Sequence, residues 1–375
     1  MEIKTETIVK QCLETIQEKI NDLNTLNILV IGKSGVGKST LINTMFRGEL
    51  AKTGLGRPIT QEIRKIEKKD VPLVIYDTPG FELSSSQQKQ VKEEIIELLE
   101  QGARSKDIND AIHCIWYCIN VGANRTFDET ELQWLRTLTS ENQKFKVPIF
   151  IVLTQAIPKK KAQEMKHLIE KENLDIVKVV PVLAKDMEFD DEYTAKAYGL
   201  DHLVDLMSEA LPQELEKAFQ NVQIANLDAK KKSARKAIAT AVSASFTEGF
   251  SPIPFADAAL LVPTQVSMIA AITIIYGFEA NKRFLTAFMS ATIGPLLATG
   301  LGRTLSANLL KLIPGAGSLG GGLISATTAS LITTAMGEAY IRLMEMIIKG
   351  EIRKEDLETR AGKKQITQLF KKNLK

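Results

Sequence analysis

The chain has 375 residues, a formal net charge of +3 and a hydrophobic content of 44%. Such a length accommodates two domains, and near-neutrality excludes a global field that would draw nucleic acid. Three cysteines, Cys12, Cys114 and Cys118, without a C-x-x-C pair, argue against a disulfide framework and fit a reducing cytosol.

In chain order, residues 1–24 are predicted to form an amphipathic helix. Val9, Leu13, Ile16, Ile20 and Leu23 fall at alternating steps of four and three, which makes one apolar stripe. Such a helix packs on its own domain or pairs with another chain. It has no apolar core of signal-peptide type, so a cytoplasmic protein is expected.

Residues 25–225 alternate short apolar runs with helix-like stretches. The runs are NILVI (27–31), VPLVIYD (71–77), IHCIWYCI (112–119), VPIFIVLT (147–154) and VVPVLA (179–184). Apolar runs of this length between helical patterns predict parallel strands covered on both faces, an α/β doubly wound, mostly parallel sheet.

The first run leads into GKSGVGKST (32–40), which fits G-x-x-x-x-G-K-[ST] between a strand and a helix. Backbone N–H groups of Ser34, Gly35, Val36, Gly37, Lys38, Ser39 and Thr40 are expected to wrap a phosphate chain. Lys38 would reach the outer phosphates, and the Ser39 hydroxyl would bind Mg²⁺. Asp77-Thr78-Pro79-Gly80 ends the next strong strand. It supplies an Asp for the metal shell and a Gly whose N–H can sense the terminal phosphate. In the loop between them, GLGRPITQE (54–62), Thr60 is the expected residue to close over Mg²⁺, with Thr53 as the alternative.

These segments, together with the strand ends V-L-T-Q and V-L-A-K, resemble the small GTPases of the Era-like, ribosome-binding-GTPase type over about residues 25–215. The resemblance implies a P-loop G domain, GTP/GDP and Mg²⁺ as ligands, and GTP hydrolysis. It also implies base contacts from Thr154, Gln155, Ala184 and Lys185. Two departures stand out. Ile157 occupies the slot where an Asp reads guanine, so base preference should loosen by one to two decades and ATP stays open as a ligand, since a charged acceptor contributes about 1.5–3 kcal/mol. Asp186, just after Ala184-Lys185, is a candidate substitute. Phe81 stands where a Gln commonly orients water, so hydrolysis should be slow unless Arg57, Arg125 or a second G domain completes the site.

A basic cluster at 229–236 (AKKKSARK) precedes a change of composition. From there three stretches carry no charge: 258–278, 284–302 and 312–337. Residues 226–350 are read as an all-α apolar domain, and 351–375 as a basic tail. Two readings stand side by side for residues 237–350. One is insertion or docking at the cytosolic face of a membrane, or onto a helical protein partner. The other is a soluble bundle of buried helices. Ile366, Leu369, Phe370 and Leu374 among the last lysines have the pattern of an interfacial helix. The words SPIPFADA, PTQVSMIAAI, IYGFE and KLIPGAGS resemble a helical domain of uncharacterised function that accompanies such G domains. It is commonly regarded as membrane-associated. The combined expectation is a nucleotide-dependent switch. A non-catalytic nucleotide-gated scaffold and a ribosome-assembly factor are the alternatives, and no RNA-binding appendage is apparent.

Overall fold

A computed structural model describes residues 5–47, 63–78, 85–122, 127, 129–189, 193–248, 257–292 and 321–374. The chain divides into two compact units. One is Leu23–Asn226. The other joins Met1–Asp22 to Leu227–Lys375, so the N-terminal helix belongs with the C-terminal helices.

In the first unit, strands β1 (Leu26–Ile31), β3 (Leu73–Asp77), β4 (Cys114–Asn120), β5 (Ile149–Thr154) and β6 (Lys178–Pro181) are parallel. They correspond to the five apolar runs. β2 (Arg64–Glu67) adds an antiparallel edge, and the sheet order is β2-β3-β1-β4-β5-β6. The sequence RKIE gave no apolar signal for β2, because only Ile66 of that edge strand is buried.

Period-two alternation divides the core. Leu29, Ile31, Ile115, Tyr117, Ile151 and Leu153 pack with Val91, Ile95 and Leu99 of α3 (Ser85–Arg104) and with Leu135 and Leu138 of α4 (Glu129–Asn142). On the other face of β4, Trp116 stacks on Phe46 with ring centroids 5.5 Å apart. Phe46 directly follows α2 (Lys38–Met45). Cys114 and Cys118 are fully buried, as core residues.

At the far end of the sheet, the backbone N–H of Asn27 donates to His113 Nδ1 (2.9 Å), and His113 Nε2 lies 2.9 Å from the Ile108 carbonyl. This ring is neutral, with its proton on Nε2, since a protonated Nδ1 has no lone pair to accept with.

The second unit is a helical bundle. α1 (Thr5–Asn21) packs on α9 (Asp257–Tyr276) and α10 (Lys282–Thr292). α8 (Leu227–Glu248) packs on α9 and on α11 (Gly321–Ile348), and α12 (Arg360–Asn373) covers α11 and α10. α9 is covered by α1, α8 and α11, and Val266, Ile269, Ala270, Ile272 and Tyr276 are all buried. Its lack of charge thus follows from its central place. Among the described residues no helix is long and apolar enough to cross a membrane.

Two sequence readings change here. Ile366 and Phe370 of α12 are buried within the bundle, so this helix does not offer them to an interface. The cluster at 229–236 is also not a free basic face. Lys230 is fully buried and donates to the Ile275 carbonyl (2.7 Å), Lys231 pairs with Glu345 (3.3 Å), and Arg235 pairs with Glu338 (2.8 Å).

α8 and α11 approach closely at Gly337. A methyl group there would meet Ile238 Cγ1 at 2.6 Å and Met268 Sδ at 3.1 Å. Gly337→Val is therefore expected to destabilise the bundle by about 1–3 kcal/mol, through overpacking. Denaturant unfolding followed by helical circular dichroism checks this.

His113 sets a pH dependence for the first unit. Burial holds its pKa below the ordinary value, with the Ile108 carbonyl opposing in part. Below about pH 6.5 the unfolded chain takes up a proton that the native ring refuses, so stability falls with pH until the lower native pKa is passed. Unfolding free energy measured from about pH 7.5 down to about pH 5.5 should decline in wild type and less steeply in His113→Gln.

Candidate functional site

The site lies where the carboxyl ends of the central strands come level. Val30 pairs with Asp77, Ile31 with Tyr117, and Asn120 with Thr154. The Thr78 N–H donates to the Val30 carbonyl (3.0 Å), which carries the D-x-x-G segment alongside the end of β1.

Leaving β1, the chain turns at Gly32. A methyl group there would lie 2.5 Å from the Cys118 carbonyl oxygen, so only glycine allows this path between β1 and β4. Gly35 and Gly37 are left-handed (φ 72° and 99°), and Gly37 caps α2. The loop is braced from inside. Lys38 is buried, and its ammonium donates to the carbonyls of Gly32 (2.8 Å) and Lys33 (3.2 Å). The Thr154 hydroxyl hydrogen-bonds the Val36 carbonyl and lies 3.2 Å from that of Ile119, so the end of β5 is tied to the phosphate loop. Lys33 reaches the other way, to the buried Glu131 of α4 (2.8 Å), which also accepts from the Tyr117 hydroxyl (3.2 Å). That brace was not legible in advance, because Lys33 fills an unspecified position of the motif.

Asp77 sits beside this loop. Burial raises its pKa, while Lys38 and Arg64 pull it back. Among the described residues its Oδ1 is buried without a hydrogen-bond partner. Cys118 lies in the same field; burial pushes its thiol up to about 12.

An unpartnered carboxylate oxygen beside a phosphate loop fits a divalent cation, with Ser39 at the start of α2 as the second protein donor. Among the described residues no three His, Cys, Asp or Glu side chains form a metal cluster. Magnesium would therefore take its remaining ligands from phosphates and water, its usual manner.

Beside the phosphate loop, between the ends of β5 and β6, is a cleft of about 240 Å³ where a base would sit. Its lining includes the expected Gly37, Thr40, Thr154, Gln155, Ala184 and Lys185, and also Leu41, Asp186 and Met187. Gln155 is left-handed (φ 47°). Ile157 is not in the lining. The loop after β6 is held to β5 by the Tyr198 hydroxyl, which donates to the Ala156 carbonyl (2.6 Å), and by the paired backbones of Leu183 and Tyr198. Asp186 continues into a small hairpin, β7 (Met187–Glu188) with β8 (Thr194–Ala195). Thr60 and Gly80 lie outside the described residues, as do Thr53, Arg57, Phe81 and Arg125.

Residues 27–155 match the family model described as 50S ribosome-binding GTPase, and residues 211–373 match a domain of unknown function, DUF697. The chain carries a GTP-binding G domain followed by a DUF697 helical domain. The DUF697 match begins ahead of α7 (Gln213–Val222), which lies in the first unit.

Neuronal-specific septin-3 of Danio rerio is 33% identical over 141 residues, 32% of this chain and 38% of that protein. Septin-12 of Homo sapiens is 44% identical over 66 residues, 15% of this chain and 18% of that protein. The chain thus spans less than two fifths of these relatives. Among solved structures, Era in complex with MgGDPNP and 16S ribosomal RNA has a TM-score of 0.36 and 20% identity, covering 51% of this chain and 58% of that one. Toc33 from Arabidopsis thaliana in complex with GDP and Mg²⁺ has a TM-score of 0.35 and 18% identity, covering 58% and 95%.

Lys38→Ala is expected to weaken triphosphate binding by at least about a hundredfold, since charge-assisted hydrogen bonds contribute about 1.5–3 kcal/mol each. Calorimetry with a non-hydrolysable GTP analogue checks this. Binding within about threefold of wild type would move the phosphate site elsewhere.

Proposed function

We propose that this chain binds GTP with Mg²⁺ at the 32–40 loop, hydrolyses it slowly, and acts as a nucleotide-dependent switch for its helical unit. When bound, the cation would neutralise charge on the β- and γ-phosphates, held by Ser39 and Asp77 with Thr60 as the closing ligand. Lys38 would supply the fixed positive charge, and the Gly80 N–H a sensor of the terminal phosphate. Phe81 has no group to orient water, which supports a slow intrinsic rate.

The observation that carries the switch reading is a short antiparallel pairing. α2 starts in the phosphate loop and ends at Met45. The Met45 carbonyl accepts from the Ile224 N–H (2.8 Å), and the Arg47 N–H donates to the Val222 carbonyl (2.9 Å). The Arg47 guanidinium also donates to Asn221 Oδ1 (2.6 Å). Residues 222–224 are nearly the last of the G domain before α8 begins at Leu227. In the other direction, residue 47 leads into the segment that holds Thr60. One backbone pairing therefore joins the phosphate-loop helix, the start of the Thr60 segment and the exit toward the helical domain. Such an element can pass nucleotide state along the chain.

We infer a cytoplasmic protein that docks peripherally on an anionic membrane surface. What supports this is α12, where Lys363, Lys364, Lys371 and Lys372 are exposed while Ile366 and Phe370 are buried. Nearby lysines contribute about 1 kcal/mol each at such a surface. A helical protein partner would use the same face. Flotation with anionic vesicles should show binding that fades with salt, and recovery of all protein unbound at low salt would remove this reading.

Hydrolysis is tested by phosphate release from GTP and Mg²⁺ over an approximately hundredfold range of protein concentration. The expected result is slow turnover whose rate per molecule rises with concentration, because a second G domain supplies the missing group. A flat rate would exclude nucleotide-dependent pairing. Tight binding with no turnover in any condition would favour the non-catalytic scaffold.

A further inference from the structure

We propose that Asp186 reads the nucleotide base, in place of the carboxylate missing at Ile157. This rests on the GTP-binding reading above and names the residue that makes it selective.

The geometry separates the two positions. Asp186 lines the cleft with Leu41, Thr154, Gln155 and Met187, whereas Ile157 does not. The Ile157 N–H closes back onto the Gln155 carbonyl (2.7 Å) in a tight turn. Asp186 is held in place. Its Oδ2 accepts from the Lys196 ammonium (2.8 Å) and its Oδ1 from the Ala197 N–H (2.8 Å). Both donors directly precede Tyr198 in the segment Lys196-Ala197-Tyr198, and the Tyr198 hydroxyl and backbone fix this loop to the end of β5 and to Leu183. The carboxylate is thus positioned relative to Thr154 and Gln155 by a chain of hydrogen bonds.

Capacity remains for a ligand. An ionised carboxylate offers about four lone-pair sites, and two are used here. Two neighbouring donors can be accepted by the others, and guanine presents such a pair in its N1–H and 2-amino group. Adenine presents no N1–H. Leu41 and Met187 supply apolar surface for a flat ring. The Lys196 hydrogen bond also lowers the carboxyl pKa, which keeps it an acceptor near neutrality.

The test is competition of GTP, ITP, XTP and ATP against a fluorescent GTP analogue, with wild type, Asp186→Asn and Ile157→Asp. ITP lacks the 2-amino group, and XTP carries an oxygen there. Wild type should prefer GTP over ITP and ATP by about tenfold to a hundredfold, the range for a charged acceptor. Asp186→Asn should weaken GTP by a similar factor and strengthen XTP, because the amide N–H₂ donates to the 2-oxo group. Inorganic tripolyphosphate should compete equally in wild type and this variant. Ile157→Asp should leave the order of preference unchanged.

Asn is isosteric and keeps an acceptor for the Ala197 N–H, and the wild-type comparison of GTP with ITP needs no variant at all. An unchanged GTP:XTP ratio in Asp186→Asn, a sharpened preference in Ile157→Asp, or equal wild-type affinity for all four nucleotides would each overturn the assignment. Failure of wild type to bind the fluorescent analogue is a different result, and it would overturn the GTP-binding reading together with this one.

Discussion

The phosphate end of the G domain depends on the passage of Gly32 against the Cys118 carbonyl, where a methyl group would lie 2.5 Å from the oxygen. It forces the chain leaving β1 to lie directly over β4. From there the left-handed Gly35 and Gly37 can start α2 at Lys38, and Thr154 can reach across from β5 to bond the loop. The phosphate loop takes its position from this turn, and the Asp77 carboxylate and the cleft beside Thr154 border it. The interactions around it are short and buried, so the cradle is preorganised. A loop that must be ordered on binding would lose affinity to conformational entropy. Among the described residues, Asp77 Oδ1 and the neighbouring Thr78 hydroxyl are buried without a hydrogen-bond partner, so this side of the cradle has capacity for a group from outside.

The helical unit follows a different logic. Its apolar helices are specified by a few buried polar pairs. Ser245 meets Thr333 at 3.0 Å, Thr273 meets Tyr340 at 2.8 Å, and Lys230 donates to the Ile275 carbonyl near the end of α9. A buried lysine costs stability unless it is hydrogen-bonded, and a helix C-terminus is where a cation is most favoured. Any slip of α8 against α9 would break that bond and leave the charge buried without it. The close approach at Gly337 adds a steric lock of α11 against α8 and α9.

The sheet and the phosphate loop were legible from the sequence because their signals are local. Five apolar runs marked the parallel strands, and GKSGVGKST followed by Asp77 marked the phosphate end. The cleft beside the phosphate loop was only half legible. Thr154, Gln155, Ala184 and Lys185 do line one cleft, but that Asp186 lines it and Ile157 does not depends on how a distant hairpin folds back through Lys196 and Tyr198. The apolar third resisted for another reason. Hydropathy reports that α9 avoids water, and a central helix of a bundle avoids water as a membrane helix does. The basic cluster misled likewise, since charge counting cannot see that Glu338, Glu345 and a helix end absorb Arg235, Lys231 and Lys230. β2 was missed because an exposed edge strand has little apolar pattern to show.

In the switch proposed above, nucleotide state leaves the G domain through the pairing of residues 45–47 with 222–224. Hydrogen exchange of the Arg47 and Ile224 amides, compared between GDP and a non-hydrolysable GTP analogue, reads this pairing. Both amides donate across this pairing, to Val222 and Met45. Their protection should change together between the two states, and the change should continue past Leu227 into α8. A change confined to the 32–40 loop, with both amides exchanging equally in the two states, would contradict it.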